Sequence, residues 1–586
     1  MTASTEEQHG GNLVAKALKA QGVEFVFTLC GGHISPLLIG CEDVGITVID
    51  VRDEKNAAFA ADAISRLSGT PGVVAVTAGP GVTNTITAIK NAQLAESSLV
   101  VLGGATATML EGRGALQDID QLGLLETATK WSTSVRSVRE IIPKIQKGFR
   151  TAQSEVPGPV FIEVPVDILY PRHVVEQWYQ ASSTDDSSIL GKLSNWYINR
   201  HVNNLFRDQH GGFTPEKQVV TYPKPTTKQI DEMLIAIDKS TKPVMVLSSQ
   251  VVLRVEKVHD LVASVEKMGI PVFLSGMARG LLGKDHPLHI RHKRSKALRN
   301  ADLIILAGVP LDFRLDYGRG LNRRATVISI NLSKHTLRMN RIFRNIDLKI
   351  HADPLLTLIT LASKWVFNAK TWKIWHDELR ERQQEREAEI HKMAMQETEF
   401  VNPLALCELI DEIMDDDSVI VADGGDFVAT VSYIIQPRGP LRWLDPGPYG
   451  TLGVGAGFAI GAKLIRPSST IWLMYGDGAA GFSIKEFDTM VRHHIPVIGI
   501  IGNDASWQQI AREQVDMFES SLATDLDYTA YEKVVEGYGG RGIAIEQMDE
   551  AREQLLRAME LVKEGKPVLV NVKIGKTEFR KGSISM

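Results

Sequence analysis

Only three cysteines occur in 586 residues, Cys30, Cys41 and Cys407, and their spacing excludes both a disulfide framework and a zinc site. No stretch approaches the ~18 to 20 consecutive apolar residues that span a bilayer. No dense basic stripe occurs either, and the net charge of -5 gives no electrostatic reason to expect nucleic acid. The first ten residues are polar and acidic, unlike a secretory or transit signal. The carboxyl end, Ser583 to Met586, is not a Ser-Lys-Leu address. A reducing compartment and cytosolic small-molecule chemistry are the expectations left standing. What the chain does have is a globular composition, 44% hydrophobic and 23% charged, at a length suited to three or four domains.

Apolar runs alternate with helical patterns three times over. Phe25 to Leu29, Ile46 to Val51, Val73 to Thr77, Ser98 to Leu102 and Val160 to Val164 form the first series. The alternation restarts at Val244 and again at Val419. The fold class is therefore α/β, with three doubly wound parallel sheets. The expected boundaries are an amino-terminal domain over 1–175, a linker over 176–225, a central domain over 226–365, a charged linker helix over 366–395 and a last domain over 396–586. The first linker carries an aromatic, partly amphipathic insert around Leu190, Leu193, Trp196, Tyr197, Val202, Leu205 and Phe206. Packing against a neighbouring domain or subunit is the simplest role for it, and membrane-surface contact the rarer one.

The most informative motif is Gly476-Asp477-Gly478 with Asn503-Asp504 downstream. Ile471 to Leu473 lead into the glycines as a buried strand. Gly476 and Gly478 let backbone approach a phosphate, and Ala479 opens a helix with free N–H groups. The run Val497 to Ile501 then brings Asn503 and Asp504 back beside Asp477. Oxygen donors at two adjacent strand ends, together with diphosphate oxygens, suit octahedral Mg²⁺.

This unit resembles the cofactor motif of the thiamine-diphosphate enzymes. The resemblance implies metal ligation by Asp477, by Asn503 or Asp504, and by the main-chain carbonyl of Ser506. It implies pyrimidine-binding, central and diphosphate-binding domains. It also makes Glu54, rather than the rival Asp53, the carboxyl that activates the cofactor, a task requiring a site dry enough to hold a proton. Gly31, Gly32 and His33, the turn Gly79-Pro80 with Asn84, and Gly114 to Gln117 resemble the first domain of the acetolactate-synthase and oxalyl-CoA-decarboxylase group. Gln117 is expected on the reactive side. His33 stands near the substrate as a proton shuttle, with a structural histidine equally admissible. Gly425, Asp426 and Phe427 are expected along the diphosphate, with Asp426 turned away, and Thr451-Leu452 resembles the segment whose apolar side chain wedges between the cofactor rings.

Across nearly the whole chain, through Ala95-Glu96-Ser97, Gly276 to Gly283 and Gln436 to Gly447, the sequence is similar to the acetolactate-synthase-like branch of the 2-hydroxyacyl-CoA lyases. That resemblance implies cleavage of a 2-hydroxyacyl-CoA to formyl-CoA and an aldehyde one carbon shorter, by a homo-oligomer of at least two subunits. Acetolactate-synthase-type carboligation and oxalyl-CoA decarboxylation are the alternatives. The central domain is open to three uses: holding the adenosine part of CoA, holding FAD that takes no part in the chemistry, or acting as a scaffold. Endoplasmic-reticulum membrane association is also a property of the branch, although the polar amino terminus here departs from the hydrophobic anchor of the vertebrate form. A catalytically inactive scaffold is the reading from another class, and an intact Glu54 and Asp477 argue against it.

Overall fold

The computed structural model describes residues 9–180, 189–207, 213–366 and 372–581. The amino-terminal Met1–Gln8, Lys370 and Ser583–Met586 lie outside them, as does the side chain of Leu190. The chain forms two compact units, residues 1–65 with 70–220, and residues 66–69 with 221–586.

The first unit holds one parallel sheet built from β1 (Phe25–Leu29), β2 (Thr47–Asp50), β3 (Gly72–Val76), β4 (Leu99–Ala105), β5 (Trp131–Ser134) and β6 (Val160–Pro165). Their order is β2-β1-β3-β4-β6-β5. Strands β3, β4 and β6 are buried along their whole length, which is why they read as continuous apolar runs rather than as alternations. The aromatic insert is the helix Ile189–Leu205. Its Val202 and Leu205, with Phe206, join the core of this unit, while Leu193, Trp196 and Tyr197 stay exposed.

The second unit holds two parallel sheets. One contains β7 (Pro243–Leu247), β8 (Val272–Leu274), β9 (Leu303–Ala307), β10 (Thr326–Asn331) and β11 (Leu348–His351), ordered β11-β10-β9-β7-β8. The other contains β12 (Val419–Ala422), β13 (Trp443–Leu444), β14 (Ile471–Gly476), β15 (Ile498–Asn503), β16 (Arg541–Ile545) and β17 (Val568–Lys573), ordered β13-β12-β14-β15-β17-β16. Taken in chain order, the first and last sheets share one permutation. Each therefore has one place where neighbouring strands lead away in opposite directions, between β1 and β3 and between β12 and β14. Such switch points, at the carboxyl ends of the strands, are where open α/β sheets bind ligands.

Local chemistry sets the helix starts. Thr226 and Gln229 form a reciprocal capping box at Thr227–Lys239. Asn402 caps Pro403–Ile413 with proline in the first turn. The charged helix Lys373–Ala394 is more than a water-facing rod. Trp375 and Leu379 pack into the core of the central sheet, and Ile390 and Ala394 into that of the last. No helix among the described residues is long and apolar enough to cross a membrane.

Close packing also fixes the helix Glu54–Ser68, because a Cβ on Gly72 at the start of β3 would lie 1.8 Å from the carbonyl oxygen of Ala61. Gly72→Ala should therefore lower stability by about 1–3 kcal/mol, read as a fall in the urea midpoint. An unchanged midpoint would mean that the helix accommodates the methyl without cost.

Candidate active site

Gly476 ends β14 and Asp477 begins the helix Asp477–Ser483. The Asp477 carboxylate accepts from Gly478 N at 2.8 Å and from Ser506 N at 3.1 Å. It therefore faces the loop that follows β15. Asp477, Asp504 and Ser506 are all buried. They line a cavity of about 220 Å³ together with Gly425, Leu452 and Trp507. Asp426, Phe427, Gly476, Gly478 and Ala479 contribute to the same walls. The two glycines of the motif have separate reasons to be glycine. A Cβ on Gly478 would meet the Trp507 ring at 2.4 Å, and one on Gly476 would meet the Gly424 carbonyl oxygen at 3.1 Å.

Asn503 is also buried, but its amide is committed elsewhere. It donates to Thr529 O at 3.3 Å and Asn571 Oδ1 at 3.2 Å, and its own oxygen accepts from Ala505 N at 3.3 Å. Asp504 is the member of the pair that reaches the cavity. Burial pushes the Asp477 carboxyl up to about 6. Asp504 is pushed up to about 7, by burial first and then by the Asp477 and Asp426 charges. Two buried carboxylates, one of them raised further by the charge of the other, form a site short of a cation, which fits a hard divalent ion. No group of three or more His, Cys, Asp or Glu among the described residues is placed to hold a metal. A cation here would draw its remaining oxygens from the Ser506 carbonyl and from a bound diphosphate.

The third carboxylate at the cavity, Asp426, is neutralised within the protein. Arg512 donates to its Oδ2 at 2.6 Å, leaving the amino end of the helix Asp426–Ile434 free of a competing bare charge. Leu452 stands between the strand ends, with its side chain 2.3 Å from where a Cβ on Gly424 would be. Thr451 lies between the cavity-lining Gly450 and Leu452, its hydroxyl donating to Leu452 O at 3.2 Å. The loop is pinned by Asp423, which accepts from Gly453 N at 2.8 Å and Gly455 N at 2.7 Å. Burial raises the Asp423 carboxyl to about 7.

In the first unit the expected residues follow the carboxyl ends of β1, β2, β3 and β4. Glu54 is buried and accepts from Asn84 Nδ2 at 3.0 Å. The rival Asp53 has a different task, accepting from Lys55 N and pairing with the Lys55 ammonium at 3.1 Å. Gly79, at φ 62°, precedes Pro80, the first residue of the helix Pro80–Asn84. A Cβ on it would lie 2.9 Å from the Gln117 Cβ, so turn and glutamine are in contact. Gln117 itself sits at φ 64°, an unusual conformation for a non-glycine residue and one associated with functional turns. A Cβ on Gly31 would meet the Thr77 side chain at 2.4 Å, and Gly32 O accepts from the Tyr170 hydroxyl at 3.1 Å. His33 Nδ1 lies 3.1 Å from Thr77 Oγ1, and burial holds the imidazole below its ordinary value, so the ring is neutral near pH 7.

Three supporting residues were not picked out from the sequence: Trp507, Arg512 and Gln121. Gln121 accepts from Gly79 N at 2.9 Å and donates to Glu163 at 2.8 Å, fixing the turn from beneath. Only Trp507 offered a signal, an aromatic three residues beyond Asp504, and an ordinary core aromatic would look the same.

Three family models match the chain in order. They are the amino-terminal thiamine pyrophosphate binding domain over residues 8–124, the central domain over 230–361 and the carboxyl-terminal binding domain over 423–572. A Danio rerio protein named 2-hydroxyacyl-CoA lyase 2 is 50% identical over 99% of this chain and 94% of its own length. The Homo sapiens protein of that name is 46% identical over 99% and 92%. The acetolactate synthase large subunit IlvG of Mycobacterium tuberculosis is 32% identical over 97% and 96%. With the clamp, the buried glutamate and these relatives in agreement, the chain belongs to the thiamine pyrophosphate enzymes, in the family that includes the proteins named 2-hydroxyacyl-CoA lyase 2.

Proposed function

We propose that this enzyme cleaves a 2-hydroxyacyl-CoA to formyl-CoA and an aldehyde one carbon shorter, using thiamine diphosphate held through Mg²⁺. The observation that carries the reading is the buried Asp477–Asp504 pair beside a cavity with a helix amino terminus, in a chain half identical to a protein of that name. The reaction balances without an external oxidant. The bond between the carbonyl carbon and the hydroxyl-bearing carbon breaks, the hydroxyl proton is lost as the aldehyde forms, and the carbonyl carbon gains a proton to become formyl.

When bound, thiamine diphosphate supplies the electron sink for the carbonyl carbon. Glu54, held by Asn84, is the carboxyl that would face the pyrimidine ring of a bound cofactor and hold a proton there. Gln117 orients the acyl oxygen from its strained position against Gly79. In the tautomer whose Nδ1–H donates to Thr77, His33 keeps Nε2 free to take the substrate hydroxyl proton. Asp477, Asp504 in preference to Asn503, and the Ser506 carbonyl hold the magnesium. Gly425, Phe427, Gly476, Gly478 and Ala479 would receive the diphosphate, and Leu452 would pack against the bound cofactor. The pyrimidine-binding, central and diphosphate-binding domains take the limits 1–175, 226–365 and 396–586. The central one serves CoA or FAD without entering the chemistry. As the resemblance implies, the glutamate and the metal clamp come from different subunits, so the active unit is at least a homodimer.

The direct test is product identification by mass spectrometry after incubation with thiamine diphosphate, Mg²⁺ and a 2-hydroxyacyl-CoA, with pyruvate in parallel. Formyl-CoA and a shortened aldehyde are expected, and acetolactate from pyruvate alone would move the enzyme to the synthase reading. Glu54→Gln should lower kcat by about 10²–10⁴-fold, the usual worth of a positioned acid, while thiamine diphosphate still binds. Turnover unaffected by that change would remove the proposed role. Asp477→Asn should raise the Mg²⁺ concentration for half-maximal activity by at least about 10-fold, since loss of even a supporting partner of a metal site costs that much. Magnesium titration of the chelator-stripped variant measures it, and an unchanged midpoint would place the metal elsewhere.

A further inference from the structure

The nine-residue helix Asp426–Ile434 turns its amino end to the cavity, through Gly425, Asp426 and Phe427. Its other end is closed from a different sheet. A helix leaves its last four carbonyls without partners of its own, and here all four find donors. Ile435 N serves Val431 O at 2.9 Å. The other three are taken by arginines of the segment that follows β8. Arg279 Nη1 donates to Ser432 O at 2.9 Å, and Arg291 Nη2 donates to Tyr433 O at 2.8 Å and to Ile434 O at 2.7 Å. The same segment is fixed against the chain beyond the helix. A Cβ on Gly280, which sits at φ 79°, would lie 2.6 Å from both Gly439 O and Pro437 Cβ. Asp285 N donates to Gln436 Oε1 at 3.2 Å, and Gln436 Nε2 donates back to Asp285 Oδ1 at 2.9 Å.

The carbonyls are the principal partners of both cations. The Arg279 guanidinium lies 5.0 Å from the centroid of the Trp443 ring. Arg291 reaches Glu387 at 3.6 Å, a longer contact than either of its bonds to the helix. Arginine keeps its charge even when buried. Two cations at the carboxyl end of a helix offset the negative end of its dipole, which leaves the positive amino end, where an anion binds, less opposed. The helix is about 13 Å long. Phe427, Val428, Thr430, Val431 and Ile434 are buried along it, so the field between its ends runs through protein and is screened less than in water.

We propose that Arg279 and Arg291 are positioning residues of the cofactor site, through which the central sheet sets the affinity for the diphosphate at the far end of the helix it closes. This rests on the placement of the diphosphate at Gly425 to Phe427 given above. Coupling between two sites is reciprocal, so a bound diphosphate in turn holds the two arginines on their carbonyls. Any ligand or contact that shifts residues 276–291 then shifts cofactor binding.

The test is calorimetric titration of the chelator-stripped full chain with thiamine diphosphate at saturating Mg²⁺. Arg279→Gln with Arg291→Gln should raise Kd by at least about 10-fold, within what two charges at a partly buried helix end supply. Arg291→Lys, which keeps a cation with three donors, should stay within about 3-fold of the wild type, while Arg291→Gln exceeds that. An unchanged Kd in the paired variant, or equal losses for lysine and glutamine at 291, would overturn the coupling. Gly425→Ala, which strains the amino end at φ 109°, separates the two readings. If it leaves Kd unchanged, the diphosphate lies elsewhere and the coupling fails with that placement. If it weakens binding and the arginine pair does not, the coupling alone is overturned. Hydrogen exchange of the wild type gives the answer even where the paired variant fails to fold. Thiamine diphosphate with Mg²⁺ should slow amide exchange in residues 276–291 and 432–439, and indifference of both segments would overturn the proposal.

Discussion

Two carboxylates, Asp477 and Asp504, are buried side by side at the ends of adjacent parallel strands, and the carboxyl-terminal domain is arranged around that unfavourable pairing. Burial raises the proton affinity of both, and the Asp477 charge raises that of Asp504 further. A protein retains such a pair when a cation is to be shared. The glycines around the pair follow from the same requirement. Only glycine at 478 lets the Trp507 ring lie over the start of the helix, and only glycine at 424 leaves room for Leu452. The third carboxylate at the cavity, Asp426, is paired with Arg512.

The first and last sheets share their strand order, and in both the candidate residues follow the carboxyl ends of strands at and next to the switch point where chain connections diverge. Two domains of one plan thus carry different proposed roles, a carboxyl, an amide and an imidazole in one, oxygen donors for a cation in the other. The difference lies in the loops and not in the sheets, as expected when function is grafted on a shared fold.

Much of this was legible in the sequence. The three α/β series, the clamp motif and the Glu54 segment could be read because buried parallel strands give continuous apolar runs and because glycine before an acidic helix start is distinctive. The choice between Asn503 and Asp504 was not legible, since it depends on Asn503 being captured by Thr529 and Asn571, residues distant in sequence. Arg512 and Gln121 were missed for the same reason: each acts by holding a loop or pairing with a neighbour, and single residues of those types are otherwise ordinary. The linker helix Lys373–Ala394 looked solvated because its charges outnumber Trp375, Leu379, Ile390 and Ala394, the few side chains that tie it to two cores.

The measurement that bears most directly on the central claim is anomalous diffraction from crystals grown with thiamine diphosphate and Mn²⁺ in place of Mg²⁺. One manganese peak is expected, bonded to the Asp477 carboxylate, the Asp504 carboxylate, the Ser506 carbonyl and two diphosphate oxygens. Manganese bound to Asn503 in place of Asp504, or a peak away from the ends of β14 and β15, would contradict it.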